Sequence, residues 1–164
     1  MNPEQISLLS RYLQGPDQLE HAVADLSAAE LDASPSGGGW TIRQIVHHVA
    51  DGDDLWKVGI KAALGSEEGE FTLEWYGMLP QETWAERWGY ARRPVDTSLA
   101  LLRAIRAHVA ELLERVPGAW DRSIAVRTRQ GTERVSVSQV IEMQTRHVTH
   151  HVERIAAIRA ERGD

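Results

Sequence analysis

Apolar residues recur along most of this chain at intervals of three and four, the period of an α-helix packed on one side. The clearest run is Leu99, Leu102, Ile105, Val109, Leu112 and Val116, which predicts a helix over about 94–115, opened by Pro94 and stopped by Pro117-Gly118. Two other helices carry their own start signals. Thr41 with Gln44 forms a capping box flanked by Trp40 and Ile45, and predicts a helix from 41 to about 64, ending at Gly65. Ser136 with Gln139, flanked by Val135 and Val140, opens a last helix that runs to about 162. Near the start, Ile6, Leu9 and Leu13 suggest a short helix over 3–13 broken at Gly15. A second helix then begins at Pro16 and continues through Leu19, Ala22, Val23 and Leu26.

The pattern changes in three places. Residues 34–39, Ser-Pro-Ser-Gly-Gly-Gly, form a loop. Residues 123–137 alternate around Gln130-Gly131, with Ile124, Val126, Val135 and Val137 apolar, and predict a small β-hairpin. The segment 65–93 is far longer than a usual helix–helix connection, long enough to return along the bundle. The expected architecture is therefore all-α: one domain over residues 1–164, a four-helix bundle in which helices two and three run parallel across a long crossover, with a hairpin before helix four. Trp75, Trp84 and Trp88 are expected to pin that crossover to the bundle.

With 164 residues the chain can bury a core without covalent staples. It contains no cysteine, so disulfides are excluded and any metal must be held by nitrogen and oxygen. A net charge of −6 argues against a general nucleic-acid binder, and the basic runs near 87–93 and 122–134 are short and mixed with acids. Neither a signal peptide nor a membrane span is apparent, so the cytoplasm is the expected location. The expected partners are a small-molecule substrate and, as an option, a second copy of the chain in a homodimer. Neither nucleic acid nor membrane is expected.

Of seven histidines, five fall in two groups, His47-His48 and His147, His150, His151. Residues four apart on a helix lie about 40° apart around the axis, so His147 and His151 share a face and can offer two imidazoles to one cation. His150 is also within reach of His147 by spacing alone. The helix faces favour the first pair: Val140, Gln144, His147, His151, Ile155 and Ile158 form one stripe, whereas His150 lies toward Arg146 and Glu153. In the helix over 41–64 His48 shares a face with Gln44, Asp51 and Leu55, and His47 is turned toward Arg43 and Asp54. Three neutral imidazoles make a metal site with room for water or substrate. Clustered histidines can equally be solvated or packed, as is expected of His21 and His108. Asp51, one turn from His48, is placed either to orient an imidazole or to face solvent.

The run from Trp40 to Asp51, WTIRQIVHHVAD, resembles the second-helix signature of the DinB-like superfamily, within it the YfiT branch that includes bacillithiol transferases. His147-Val148-Thr149-His150-His151 resembles the branch's closing motif, and the resemblance spans residues 16 to about 159. Arg146 stands where the branch often has an aromatic residue. The resemblance implies an up-down-down-up bundle with a divalent metal, zinc or nickel, held by His48, His147 and His151. It also implies a low-molecular-weight thiol of the bacillithiol kind as co-substrate, conjugated to small electrophiles. The alternatives are a metal-dependent hydrolase and a non-catalytic metal-binding stress protein.

Overall fold

A computed structural model describes residues 1–66 and 68–163. Four long helices form the bundle: α1 (Pro3–Val23), α3 (Ile42–Gly65), α5 (Asp96–Arg115) and α6 (Val137–Arg162). Two short helices, α2 (Ala28–Leu31) and α4 (Gln81–Arg87), lie in the connections. Both expected capping boxes are present. Thr41 Oγ1 accepts from the Gln44 amide at 3.2 Å, and Ser136 Oγ accepts from that of Gln139 at 3.2 Å. Asn2 with Gln5 and Ser27 with Glu30 make two more.

Pairs of touching residues give the helix directions. His47 meets Ser98, and six residues on Asp53 meets Arg106, so α3 and α5 run parallel. His48 meets His147 and Gln144 meets Gly52, so α3 and α6 are antiparallel. Gly15 lies against Val148, and Arg159 donates to the Ala22 carbonyl, so α1 and α6 are parallel. Tyr12 meets Arg106 while Asp17 and Glu20 meet Arg103, which makes α1 and α5 antiparallel. The connectivity is up-down-down-up, as expected.

The start of the chain differs from expectation. Residues 3–23 form one continuous helix through Gly15-Pro16 rather than a broken pair. Proline inside a helix leaves the carbonyl four residues earlier without its N–H. Here that carbonyl, on Tyr12, accepts a hydrogen bond from Arg106 Nη1 at 2.7 Å. Gly15 makes room for this, because a Cβ there would collide with the same guanidinium nitrogen. Arg106 also bonds Asp53 through Nε at 2.7 Å and the Gln144 carbonyl through Nη2 at 2.9 Å, and it stacks 4.3 Å from the centre of the Tyr12 ring. One wholly buried guanidinium thus touches all four bundle helices. It forms a polar layer between two apolar clusters, one around Val109, Ile124 and Ile141, the other around Leu19, Ile45 and Ile155.

The crossover is more ordered than its composition suggested. It contains strand β1 (Glu70–Thr72), α4 and two short 3₁₀ turns. Strands β2 (Ser123–Thr128) and β3 (Gly131–Ser136) form the expected hairpin, turning at Arg129-Gln130, and β1 joins β2 in parallel to make a three-stranded sheet. The expected stripe of α5 is rotated slightly: Leu113, not Leu112, is fully buried, and Arg106 occupies a core position beside Ile105. The three tryptophans pack chiefly on one another and on Tyr76, with Trp84 Nε1 donating to the Tyr76 carbonyl at 2.7 Å. The hydrogen bonds that tie the crossover's end to α3 come from Tyr90 and from the Arg93 carbonyl. No helix among the described residues is long and apolar enough to cross a membrane.

Candidate metal centre

His48 projects from the second turn of α3, and His147 and His151 project from successive turns of α6. Antiparallel packing brings the three together. One nitrogen from each falls within 4.8 Å of the others. The Nε2 atoms of His48 and His147 are 3.0 Å apart, a few tenths of an ångström closer than the roughly 3.4 Å that separates adjacent nitrogens around a tetrahedral cation bound at about 2.1 Å. The rings meet edge to face, with centroids 4.6–4.9 Å apart. Trp40, preceding the α3 cap, packs its edge or face on His48 at 4.5 Å. Gly52 faces His147 across this packing: a Cβ there would lie 3.4 Å from His147 Cε1, in van der Waals contact.

The electrostatics suit ligation. Burial, followed by the charges of His147 and Arg154, holds the His48 imidazole at about 3. Burial and then Arg106 and His150 hold His147 at about 4. Burial, with the neighbouring histidines and Arg154, holds His151 at about 2. All three rings are neutral at pH 7 and present lone pairs, the form a metal requires. His151 Nδ1 is buried without a hydrogen-bond partner among the described residues. The donor set therefore fits a divalent cation such as zinc, and no carboxylate joins the cluster among the described residues, which leaves coordination positions for other molecules.

The other histidines separate cleanly. His47 is fully buried, and its Nε2–H donates to the Arg93 carbonyl at 3.2 Å. Because a carbonyl only accepts, this fixes the tautomer and leaves Nδ1 to accept from Ser98 Oγ at 2.8 Å. His47 thus joins α3 to the crossover and to α5. His150 is exposed beside His151. Asp51 makes no hydrogen bond to His48; its Oδ2 accepts from Tyr90 Oη at 2.6 Å. Arg146 is exposed and lines a separate cleft with Trp56 and Glu133.

Two spaces adjoin the cluster. A cavity of about 210 Å³ lies between α3, α6 and the crossover, walled by Leu55, Trp56, Leu73 and Met143 and reached by Tyr76, Gln81 and Gln144. A more polar opening of about 400 Å³ is lined by Trp40, Gln81, Glu82, His150 and Arg154. His48 and His147 border both. The crossover residues Tyr76, Gln81 and Glu82 were not legible as site residues, because no periodicity links them to the histidines.

Comparison with known proteins identifies the family of the chain. The DinB superfamily model matches residues 11–155. A candidate metal-dependent hydrolase of Oceanobacillus iheyensis is 29% identical over 144 residues, covering 87% of this chain and 78% of the relative. A counterpart from Bacillus cereus is 31% identical over 144 residues, covering 88% of this chain and 79% of its own. Among solved structures, YfiT from Bacillus subtilis, described as a probable metal-dependent hydrolase with an unusual four-helix bundle topology, superposes with a TM-score of 0.84 at 23% identity, covering 99% of this chain and 90% of YfiT. A mycothiol-dependent maleylpyruvate isomerase superposes with a TM-score of 0.67 at 19% identity, over 94% of this chain and 61% of the isomerase. With His48, His147 and His151 all inside the matched span, the chain belongs to the DinB superfamily.

Proposed function

We propose that this protein is a metal-dependent transferase that joins a low-molecular-weight thiol, of the bacillithiol kind, to small electrophiles. The observation that carries this reading is that the histidine cluster borders two adjoining spaces, an apolar and a more polar one, which share His48, His147 and Gln81 in their walls. Two reactants can approach one centre from different sides, an arrangement that a reaction with water alone does not need. A divalent cation held there would lower the pKa of a thiol that reaches it and so supply the nucleophile. His48, His147 and His151, all neutral, would leave the cation's charge uncompensated and so favour an anionic partner. The apolar walls of the smaller cavity would hold the electrophile close, removing part of the entropy of encounter. The absence of cysteine accords with a thiol that comes from a co-substrate. The shared fold of a mycothiol-dependent enzyme supports the same reading.

A second reading, hydrolysis, is supported by the names of the relatives and by Glu82, which lines the polar opening and could serve as a base toward water. The test is direct. Protein purified without a histidine tag and loaded with Zn²⁺ or Ni²⁺ is incubated with bacillithiol, mycothiol or glutathione and a chromogenic electrophile. The expected result is S-conjugation well above that of metal-free protein, lost in His147→Ala. No acceleration with any thiol, together with turnover of an ester or amide panel that Glu82→Gln abolishes, would establish the hydrolase instead. Silence in both assays would leave a metal-binding protein.

A further inference from the structure

Arg154 stands on α6 one turn beyond His151, about 4.5 Å farther along the helix axis. It is half-buried and lines the polar opening together with Trp40, Glu82 and the histidine cluster. Its guanidinium lies at the wall of that space: Nη2 is 3.9 Å from where a Cβ on Gly39, another lining residue, would stand. Yet among the described residues it makes no hydrogen bond and no ion pair. Arg43, Arg106, Arg122 and Arg159, buried to a similar or greater degree, each donate to a carboxylate or a backbone carbonyl. Burial, neighbouring histidines and then the Arg154 charge together oppose protonation of His48 and His151, so that charge reaches the cluster. No carboxylate joins the histidines among the described residues, and Glu82, across the opening, forms no ion pair with Arg154. A divalent cation on the histidines would add to the positive potential at this end of the opening.

We propose that Arg154 is the anchor for a carboxylate of the co-substrate, whose thiol sulfur is thereby directed toward the histidine cluster. A half-desolvated guanidinium gains most from a planar anion that accepts from two of its N–H groups. With Glu82 in the same opening, a singly charged carboxylate fits better than a phosphate dianion. Three neutral imidazoles and a cation would take any thiolate, so Arg154 supplies the selection among thiols. That the carboxylate belongs to a thiol rests on the function proposed above. That Arg154 seats a carboxylate does not.

The test uses full-length protein loaded with Co²⁺, on which bound thiolate is read as a sulfur-to-cobalt charge-transfer absorption. Mercaptopropionate is compared with mercaptopropanamide, a neutral thiol of the same length. The acid is expected to bind about tenfold more tightly, the worth of roughly one charge-assisted hydrogen bond. Arg154→Gln should bring the ratio to about one, and Arg154→Lys, which keeps the charge but not the fork, should retain part of it. In parallel, propionate and propanamide are titrated into the metal-free protein, and only propionate should shift the NMR signal of the Arg154 Nε–H. Equal binding of the two thiols, a preference that survives in Arg154→Gln because the acid chelates the cobalt, or an unmoved Arg154 signal overturns the proposal. If Arg154→Gln fails to fold, the Arg154 signal of the wild type decides. Cobalt that takes up neither thiol, alongside a propionate shift at Arg154, would refute the transferase reading and leave the carboxylate seat standing.

Discussion

Arg106 donates to the carbonyl of Tyr12, the one carbonyl in α1 that Pro16 leaves without its helical partner. The bond joins residues 94 positions apart and converts a helix-breaking proline into a point of attachment. The same guanidinium pairs with Asp53, and both side chains are completely buried. Burial raises the Asp53 pKa, and the nearby Arg106 charge opposes that rise.

Arg106→Met should therefore destabilise the protein by about 3–5 kcal/mol, because it leaves a buried carboxylate uncompensated. Asp53→Leu with Arg106→Met should cost less than the sum of the single changes. Gly15→Ala, which drives a methyl into the guanidinium, should cost about 1–3 kcal/mol. Urea unfolding of the four variants measures all three effects, and additive losses would show that the pair does not act as a unit.

Single replacement of His48, His147 or His151 by Ala should sharply lower bound metal, measured by elemental analysis after dialysis. His150→Ala should retain it, since that side chain stands outside the cluster. His47→Ala should also retain metal but unfold more easily by about 1–3 kcal/mol, because Ser98 and the Arg93 carbonyl lose their partner. Stoichiometric metal in His151→Ala would reject the ligand set.

Much of this was legible in the sequence because it depends on short-range rules. Two capping boxes placed the starts of α3 and α6, and helical spacing put His147 and His151 on one face. The length of 65–93 implied the parallel pair α3 and α5. What escaped depends on distant partners. The continuity of α1 at Pro16 requires Arg106, whose own core position was masked by its neighbour Ile105 in the apolar stripe. Strand β1 is three residues long and takes its form from pairing with β2. The approach of Tyr76 and Gln81 to the histidines is set by how the crossover folds on itself.

The metal-free protein should lose stability on mild acidification. The imidazoles of His48, His147 and His151 sit at about 3, 4 and 2 in the folded state against 6.5 for an unperturbed histidine. Below pH 6.5 the unfolded chain binds protons that the folded chain refuses, so stability falls with pH through the window from about 6.5 toward 4. Melting temperatures recorded from pH 7.5 to 4.5 should decline. A variant with all three histidines changed to Gln should show a flatter profile, and an equally steep one would assign the acid sensitivity elsewhere.

Tyr90 should anchor the crossover. Its hydroxyl, kept protonated by burial and by the Asp51 charge, donates to Asp51 at 2.6 Å. Tyr90→Phe should cost about 1–3 kcal/mol and speed proteolytic cleavage within 65–93, read by mass spectrometry of early fragments. Unchanged cleavage kinetics would mean that packing of the Trp84 and Trp88 rings holds the segment alone.

The side-by-side, parallel packing of α1 and α6 has a consequence for biogenesis. During synthesis α1, α3 and α5 all emerge before α6, so Leu19 of α1 and Ile45 of α3 await the strip of Val148, Ile155 and Ile158 that completes their cluster. Closure couples early and late segments across nearly the whole chain, a high contact order that slows folding relative to a bundle of neighbouring helices. No N-terminal fragment lacking α6 contains His147 or His151, so the three-histidine cluster can assemble only after that helix has been synthesised.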